Sequence, residues 1–262
     1  YPDISNDDTL AKVHYYMHGH PENRIYNQPQ LKDSNQKVKK IITQTYNKRI
    51  PKTSNISTIS EVHFNIIIRT HNRPVLFNSC INSILSQTYT DINIVICAQD
   101  IQTSNYIFTR NDERFNIFQP KIINNDTHYY NDFCNQALQY CNHGWIIFID
   151  DDNMLADVNT LTLLNKCIQE SHDSTNILIN DYIRADKILS LKYIHGLSVG
   201  ELDTANFCIH ESIKHLGEWP THVAGDYGYF NKILNNERCH PQFSEIPAIQ
   251  TQYTTKISGY GV

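Results

Sequence analysis

The run Trp145-Ile146-Ile147-Phe148-Ile149, followed at once by Asp150-Asp151-Asp152-Asn153, constrains this chain more than any other stretch. Five consecutive apolar residues, β-branched or aromatic and bounded by turn-formers, describe a buried strand. Such a strand delivers its next residues to the rim of a sheet, where open α/β folds bind ligands. Three carboxylates crowded at that rim repel one another unless a cation or several donors meet them. The competing explanation is an acidic turn that caps the following helix.

The same texture recurs along the chain from His63 onward. Phe64-Asn65-Ile66-Ile67-Ile68 is a strand. It is followed by the turn Thr70-His71-Asn72-Arg73-Pro74, with Pro74 suited to a first helical turn. Leu76, Cys80 and Ile84, with Phe77, Ile81 and Leu85, give a helical stripe. Asp91 to Cys97 is a second strand and Phe115 to Phe118 a third, and Tyr130 to about Cys141 is a helix with Phe133, Ala137, Leu138 and Cys141 inward. After the acids come a helix at about Asp157 to Glu170 and a strand at Ile177 to Ile183. A short strand at Phe207 to His210 and a helix from about Asp226 to Leu234 follow. This alternation predicts an α/β domain with a mostly parallel central sheet and helices on both faces.

Residues 1 to 60 differ. They are polar and weakly periodic, contain Pro2, Pro21, Pro29 and Pro51, and read as an extension with one helix around Lys37 to Tyr46, ahead of a domain over 61–262. His14, His18 and His20 lie close together there and suit a polar surface better than a metal site. The chain begins at Tyr1 rather than Met, as a piece of a longer protein would.

Composition narrows the partners. With 19% charged residues and a formal net charge of −5, the 262-residue chain has no basic field, which argues against nucleic acid. Seven cysteines without a CxxC pair indicate neither a zinc site nor a disulfide framework, and reduced thiols fit a cytoplasmic protein. On that view the sequons Asn55-Ile56-Ser57 and Asn125-Asp126-Thr127 are chance. No apolar run approaches membrane-spanning length.

Three segments together resemble the family-two glycosyltransferases of the GT-A fold. The run from Phe64 to Pro74 followed by Cys80-Ile81-Asn82-Ser83-Ile84-Leu85-Ser86-Gln87-Thr88-Tyr89 looks like that family's opening. Ile146 to Asn153 is similar to its strand with a DxD-type metal motif, and Ala224-Gly225-Asp226-Tyr227 to its late acidic motif before a helix. The resemblance covers about residues 62 to 235. It implies a GT-A fold and transfer of a hexose or related sugar from a nucleotide-diphosphate donor to a glycan, protein or lipid-linked acceptor hydroxyl.

The chemistry explains those residue types. Breaking the anomeric C–O bond leaves a nucleoside diphosphate whose developing charge a divalent cation neutralises as Lewis acid and template. Mn2+ and Mg2+ prefer carboxylate oxygen. By the resemblance Asp152 binds the metal, while Asp150 or Asp151 holds the ribose hydroxyls or a metal-bound water. It also assigns Asp226 as the base that deprotonates the acceptor, a role compatible with capping the next helix. A single base opposite the leaving group implies inversion. Asp203 is the rival for the base role, or a ligand of either sugar.

Arg69, Thr70, His71 and Arg73 stand where the family contacts the base and diphosphate. Arg69 suits either a phosphate or an acid of the triplet. The acid that commonly follows the second strand is replaced by Cys97-Ala98-Gln99-Asp100, with Gln99 or Asp100 as substitutes, which leaves the nucleotide open. The loop Asn124 to Tyr130, with Asn131 and Asp132, faces the donor in the family, although helix capping explains Asn131 and Asp132 equally well. His222 and His240 are candidates for a third metal ligand. Trp219 suits either stacking on the acceptor sugar or the core. Two other readings remain. A nucleotidyltransferase of similar fold would show a Gly-rich basic loop after the first strand, which Arg69 to Arg73 lacks. A degenerate sugar- or protein-binding domain need not keep both acidic motifs.

Overall fold

The computed structural model describes residues 62–99, 101–108, 112–121, 130–171, 174–184, 187–190, 203–220 and 224–252. The expected N-terminal helix, the histidine group, Asp100, the 124–129 loop and His222 lie outside the described residues.

In chain order the elements are β1 Phe64–Thr70, α1 Pro74–Leu85, β2 Ile92–Ala98, α2 Ile101–Phe108, β3 Phe115–Phe118, α3 Tyr130–Ala137, β4 Trp145–Asp150, β5 Asn153–Leu155 and α4 Thr160–Glu170. They continue with β6 Ile177–Arg184, β7 Lys187–Leu189, β8 Phe207–His210, α5 Gly225–Leu234 and β9 Pro241–Thr251. Short 3-10 turns follow α3 and flank β8 on both sides. Among the described residues the strands form one sheet in the order β3-β2-β1-β4-β8-β6-β9-β5, with β7 paired to β6.

The half anticipated from the sequence, β3-β2-β1-β4, is parallel throughout. Beyond it the sheet is mixed: β8 runs antiparallel between β4 and β6, and β9 is parallel to β6 but antiparallel to β5. Strand β9 was not anticipated, because Pro241, Pro247 and Glu245 argue against a strand. The structure accommodates them with a bulged register against β6 and a positive φ at Glu245.

Period-two alternation divides the core into two layers. Ile66, Ile68, Ile147 and Ile149 pack with Phe77, Ile81 and Ile84 of α1 and with Leu161 and Leu164 of α4. Ile67, Ile146 and Phe148 pack on the other face with Cys134 and Ala137 of α3 and with Tyr229, Phe230 and Ile233 of α5. Helices therefore cover both faces. All seven cysteines are free thiols, and no described helix is long and apolar enough to cross a membrane.

The Ser86-Gln87-Thr88-Tyr89 segment locks the first layer. Buried Gln87 donates through Nε2 to the carbonyls of Asp157 (2.7 Å) and Ser83 (3.0 Å) and accepts the Leu161 N–H at 3.1 Å. Its amide thus joins the end of α1 to the start of α4. The Thr88 N–H donates to Val158 O, and the Tyr89 hydroxyl to Val62 O. Gln87→Ala would leave the Leu161 N–H and the Asp157 carbonyl without this partner. A destabilisation of about 1–3 kcal/mol is expected, measured by urea unfolding.

Candidate active site

Strands β1 and β4 are adjacent and in register, with Arg69 opposite Asp150. Their next residues turn to opposite faces of the sheet. Arg69 and Asp150 point to the α3/α5 face. There the guanidinium donates through Nε and Nη2 to the two oxygens of Asp150, at 2.8 and 2.9 Å. The same guanidinium lies between Tyr130 and Trp219, 5.8 and 5.7 Å from the ring centroids.

Asp151 is fully buried on the α1 face. Its Oδ2 accepts from the Thr70 hydroxyl at 2.7 Å and from Arg73 Nε at 3.2 Å, and Arg73 Nη2 meets Oδ1. With the Thr70 proton given to Asp151, the Tyr106 hydroxyl 2.8 Å away is the donor to Thr70. Arg73 also reaches Asp152, more loosely, at 3.4 Å. Asp150 thus has Arg69 and Asp151 the closer contact of Arg73, while Asp152 is left with only the looser edge of Arg73.

Asp203 and Asp226 complete the group. Asp203 precedes β8 and accepts the Ala205 N–H at 3.0 Å and the Thr204 hydroxyl at 3.2 Å. The Asn206 side chain returns the capping bond to its backbone. Asp226 is the second residue of α5, and its Oδ1 accepts the Tyr227 N–H at 2.7 Å. It does not cap the helix: Ala224, in the left-handed region at φ 62°, occupies that position. Gly225 lets the turn come close to Asn131, because a Cβ there would strike the Asn131 amide, itself held on Pro220 O at 2.8 Å.

The electrostatics follow from five carboxylates set against Arg69, Arg73 and, at Asp203, the pull of Arg184. Burial pushes Asp151 up to about 7 against the pull of Arg73 and Thr70. Burial and then Asp150 push Asp152 up to about 6. Burial and then Asp203 push Asp226 up to about 7, although a helix N-terminus favours the anion. Asp203 is itself raised by burial and, after it, by Asp150. It acts on both Asp152 and Asp226, so it stands electrostatically between the turn and the helix.

Other expected residues fall at the rim or away from it. His71 is exposed, and Gln99 is half-buried with its N–H donating to Thr70 O at 3.3 Å. Asn131 serves the packing of the α5 turn, and Asp132 is buried in the first turn of α3. Trp219 belongs to the core: it is 2% exposed, stacks on Tyr229 with ring centroids 5.0 Å apart, and is tied to Asn135 by two hydrogen bonds. It does not present a free face to an acceptor. His240 stands just before β9, whose far end reaches the acidic turn. Even with its bulges, β9 runs alongside β6 from Ile177 to Ile183, which puts His240 more than about 20 Å from that turn.

Two contributors escaped the sequence reading. Helix α2 supplies Tyr106 to Thr70, and Thr103, whose hydroxyl accepts the Asn72 N–H at 3.0 Å. Gln252, just past β9, contacts the backbone of the acidic turn. Neither lies in a segment whose pattern points to a site. Among the described residues no group of three or more His, Cys, Asp or Glu is arranged to hold a metal ion alone.

No protein-family model matches the chain, and no curated protein matches it. Solved structures do. TarS 1-349 of S. aureus, also solved with UDP and with UDP-GlcNAc, is 15% identical with a TM-score of 0.51, over 72% of this chain and 60% of that one. A longer TarS structure gives 0.53 over 73% of this chain and 37% of that one. A mannosyltransferase from Pyrobaculum calidifontis in complex with GDP-Man and Mn2+ is 13% identical with a TM-score of 0.55, over 85% and 67%. The chain therefore spans less than two thirds of either TarS structure's length. At these identities the likeness is one of fold, and the fold is that of the GT-A-type nucleotide-sugar glycosyltransferases.

The raised carboxyls fix a sign for the pH dependence of stability. Asp151, Asp152 and Asp226 take up protons in the folded state at a pH where the unfolded chain, with carboxyls near 3.8, has released them. The native state thus binds more protons between about pH 4 and 7, and stability falls as pH rises through that window. The thermal midpoint of the ligand-free domain is expected to drop from pH 5 to pH 8, and Asp226→Asn to flatten that slope. A midpoint that climbs over this range would contradict the assignment.

Proposed function

We propose that this domain transfers a sugar from a nucleotide-diphosphate donor to an acceptor hydroxyl, with a divalent cation at the donor and inversion at the anomeric carbon. The observation that carries the reading is the meeting, at the C-terminal rim of β1 and β4, of the Asp150–Asp152 turn with Asp203 and Asp226. The solved neighbours add support: TarS is seen with UDP-GlcNAc and the mannosyltransferase with GDP-Man and Mn2+.

The donor set suits a hard cation. It is all carboxylate, and burial, then repulsion from Asp150, raises Asp152. Asp152 is the residue that would hold the cation, with Asp150, held on Arg69, beside it. When bound, Mn2+ or Mg2+ neutralises charge that develops on the leaving diphosphate. Arg73, already at Asp151 and Asp152, is placed to add a second positive charge there. Thr70, His71, Gln99 and Asp100 are assigned to the nucleoside end, and the nucleotide stays open between uridine and guanosine.

Asp226 is the base. A carboxyl pushed up to about 7 is half-ionised near neutrality and strong enough to take the acceptor proton as the C–O bond forms. Burial and then repulsion from Asp203 hold Asp226 high, and Asp203 is assigned to the sugar site. Inversion in this reading requires Asp226 to face the donor sugar from the side opposite the diphosphate, for a single in-line displacement.

Two outcomes test this. A screen of UDP- and GDP-sugars with Mn2+ is expected to raise the thermal midpoint with one nucleotide family; saturation at about 100 times Kd adds roughly 2.7 kcal/mol. Asp152→Ala should remove the Mn2+-dependent part of that shift. Asp226→Asn should keep it and lower kcat by about 10²–10⁴-fold, with wild-type kcat/KM rising to a plateau above about pH 7. Near-normal turnover in Asp226→Asn would transfer the base role to Asp203.

A further inference from the structure

We propose that Gln252 is a positioning residue: it grips the backbone of the acidic turn and so sets where the Asp152 carboxylate is presented to cation and donor. This rests on the reading of Asp152 as the cation ligand. Gln252 is the first residue beyond β9. Its backbone N–H donates to Asp152 O at 2.8 Å. Its side-chain Nε2 donates to Asp151 O at 2.9 Å, to Leu76 O at 3.0 Å and to Asn153 O at 3.3 Å. Two amide hydrogens serve three carbonyls, so one bond is shared.

These carbonyls need such a partner. Strand β4 ends at Asp150, and β8 accompanies it only as far as Ile147, so the turn leaves the ladder on that side. Across the turn the Asp151 N–H donates to Arg69 O at 3.3 Å. The acidic backbone is thus held by β1 on one side and by the end of β9 on the other. Leu76 lies in the first turn of α1, directly after Arg73, which holds the side chains of Asp151 and Asp152. Gln252 therefore ties the backbone of the turn to the helix whose start neutralises it.

A primary amide suits this place. It offers two hydrogens without adding charge, whereas glutamate would set a carboxylate against three carbonyl oxygens beside the acids. Divalent cations are demanding about ligand position, and residues that orient a metal ligand typically change affinity about 10–100-fold.

The test compares wild type with Gln252→Ala and Gln252→Glu, using Gln250→Ala on the same strand as control. Mn2+ affinity is read from the free Mn2+ spin-resonance signal in the presence of UDP or of GDP. Hydrogen exchange is read without ligand on peptides spanning residues 149–156 and residues 64–70. Gln252→Ala is expected to weaken Mn2+ affinity at least about tenfold and to speed exchange in the turn alone, with turnover recovering at saturating Mn2+. Gln252→Glu should be worse and Gln250→Ala unchanged. Wild-type affinity and turn exchange in Gln252→Ala would overturn the proposal, as would exchange that rises equally in β1, which marks general loosening. If wild type binds Mn2+ with neither nucleotide, the donor-site reading has failed, and unchanged exchange in the turn then separately refutes the grip.

Discussion

Two arginine–aspartate pairings across the ends of β1 and β4 hold the acidic rim in place. Consecutive residues of a strand face opposite ways, so Asp150 and Asp151 meet different arginines. Arg69 meets Asp150 on the α3/α5 face, and Arg73 with Thr70 meets Asp151 on the α1 face. Taking Arg73 away would strand the fully buried Asp151 carboxylate, and breaking a buried pair is strongly destabilising. The rim therefore depends on the parallel register of β1 against β4, which brings Arg69 opposite Asp150.

That neutralisation decides what is left for chemistry. Asp152, Asp203 and Asp226 have no dedicated guanidinium of their own, and burial with mutual repulsion raises all three. A rim with surplus negative charge would repel a diphosphate donor, and a cation reverses that relation. Burial, with the same repulsion behind it, keeps Asp226 near neutrality, where a carboxylate makes a useful base. In the proposed reading, donor binding and proton removal draw on one electrostatic field, with Asp203 linking its two ends.

Much of the parallel half was legible because its signals are local. The apolar runs at Phe64–Ile68 and Trp145–Ile149 are continuous, and Pro74 marks where α1 begins. The alternation of Phe77, Cys80, Ile81 and Ile84 showed which face of α1 is buried. Strand β9 was illegible because Pro241 and Pro247 break the pattern, and pairing on both edges makes a strand of it anyway. Gln252 and Tyr106 escaped for another reason: a glutamine or tyrosine acquires a role from what lies across the fold, at 101 and 36 residues' separation here.

The sequence by itself determined the order of the first strands and helices, the emergence of three acids at a strand end, and an aspartate at the start of a late helix. Hydrophobic periodicity and chain direction suffice for that. Only the tertiary structure decided which acid is neutralised and which is left open, that Trp219 belongs to the core, and that the end of β9 closes on the acidic turn. Those outcomes depend on register, burial and distance between segments far apart in the chain, and nothing in the order of residues encodes a distance across a sheet.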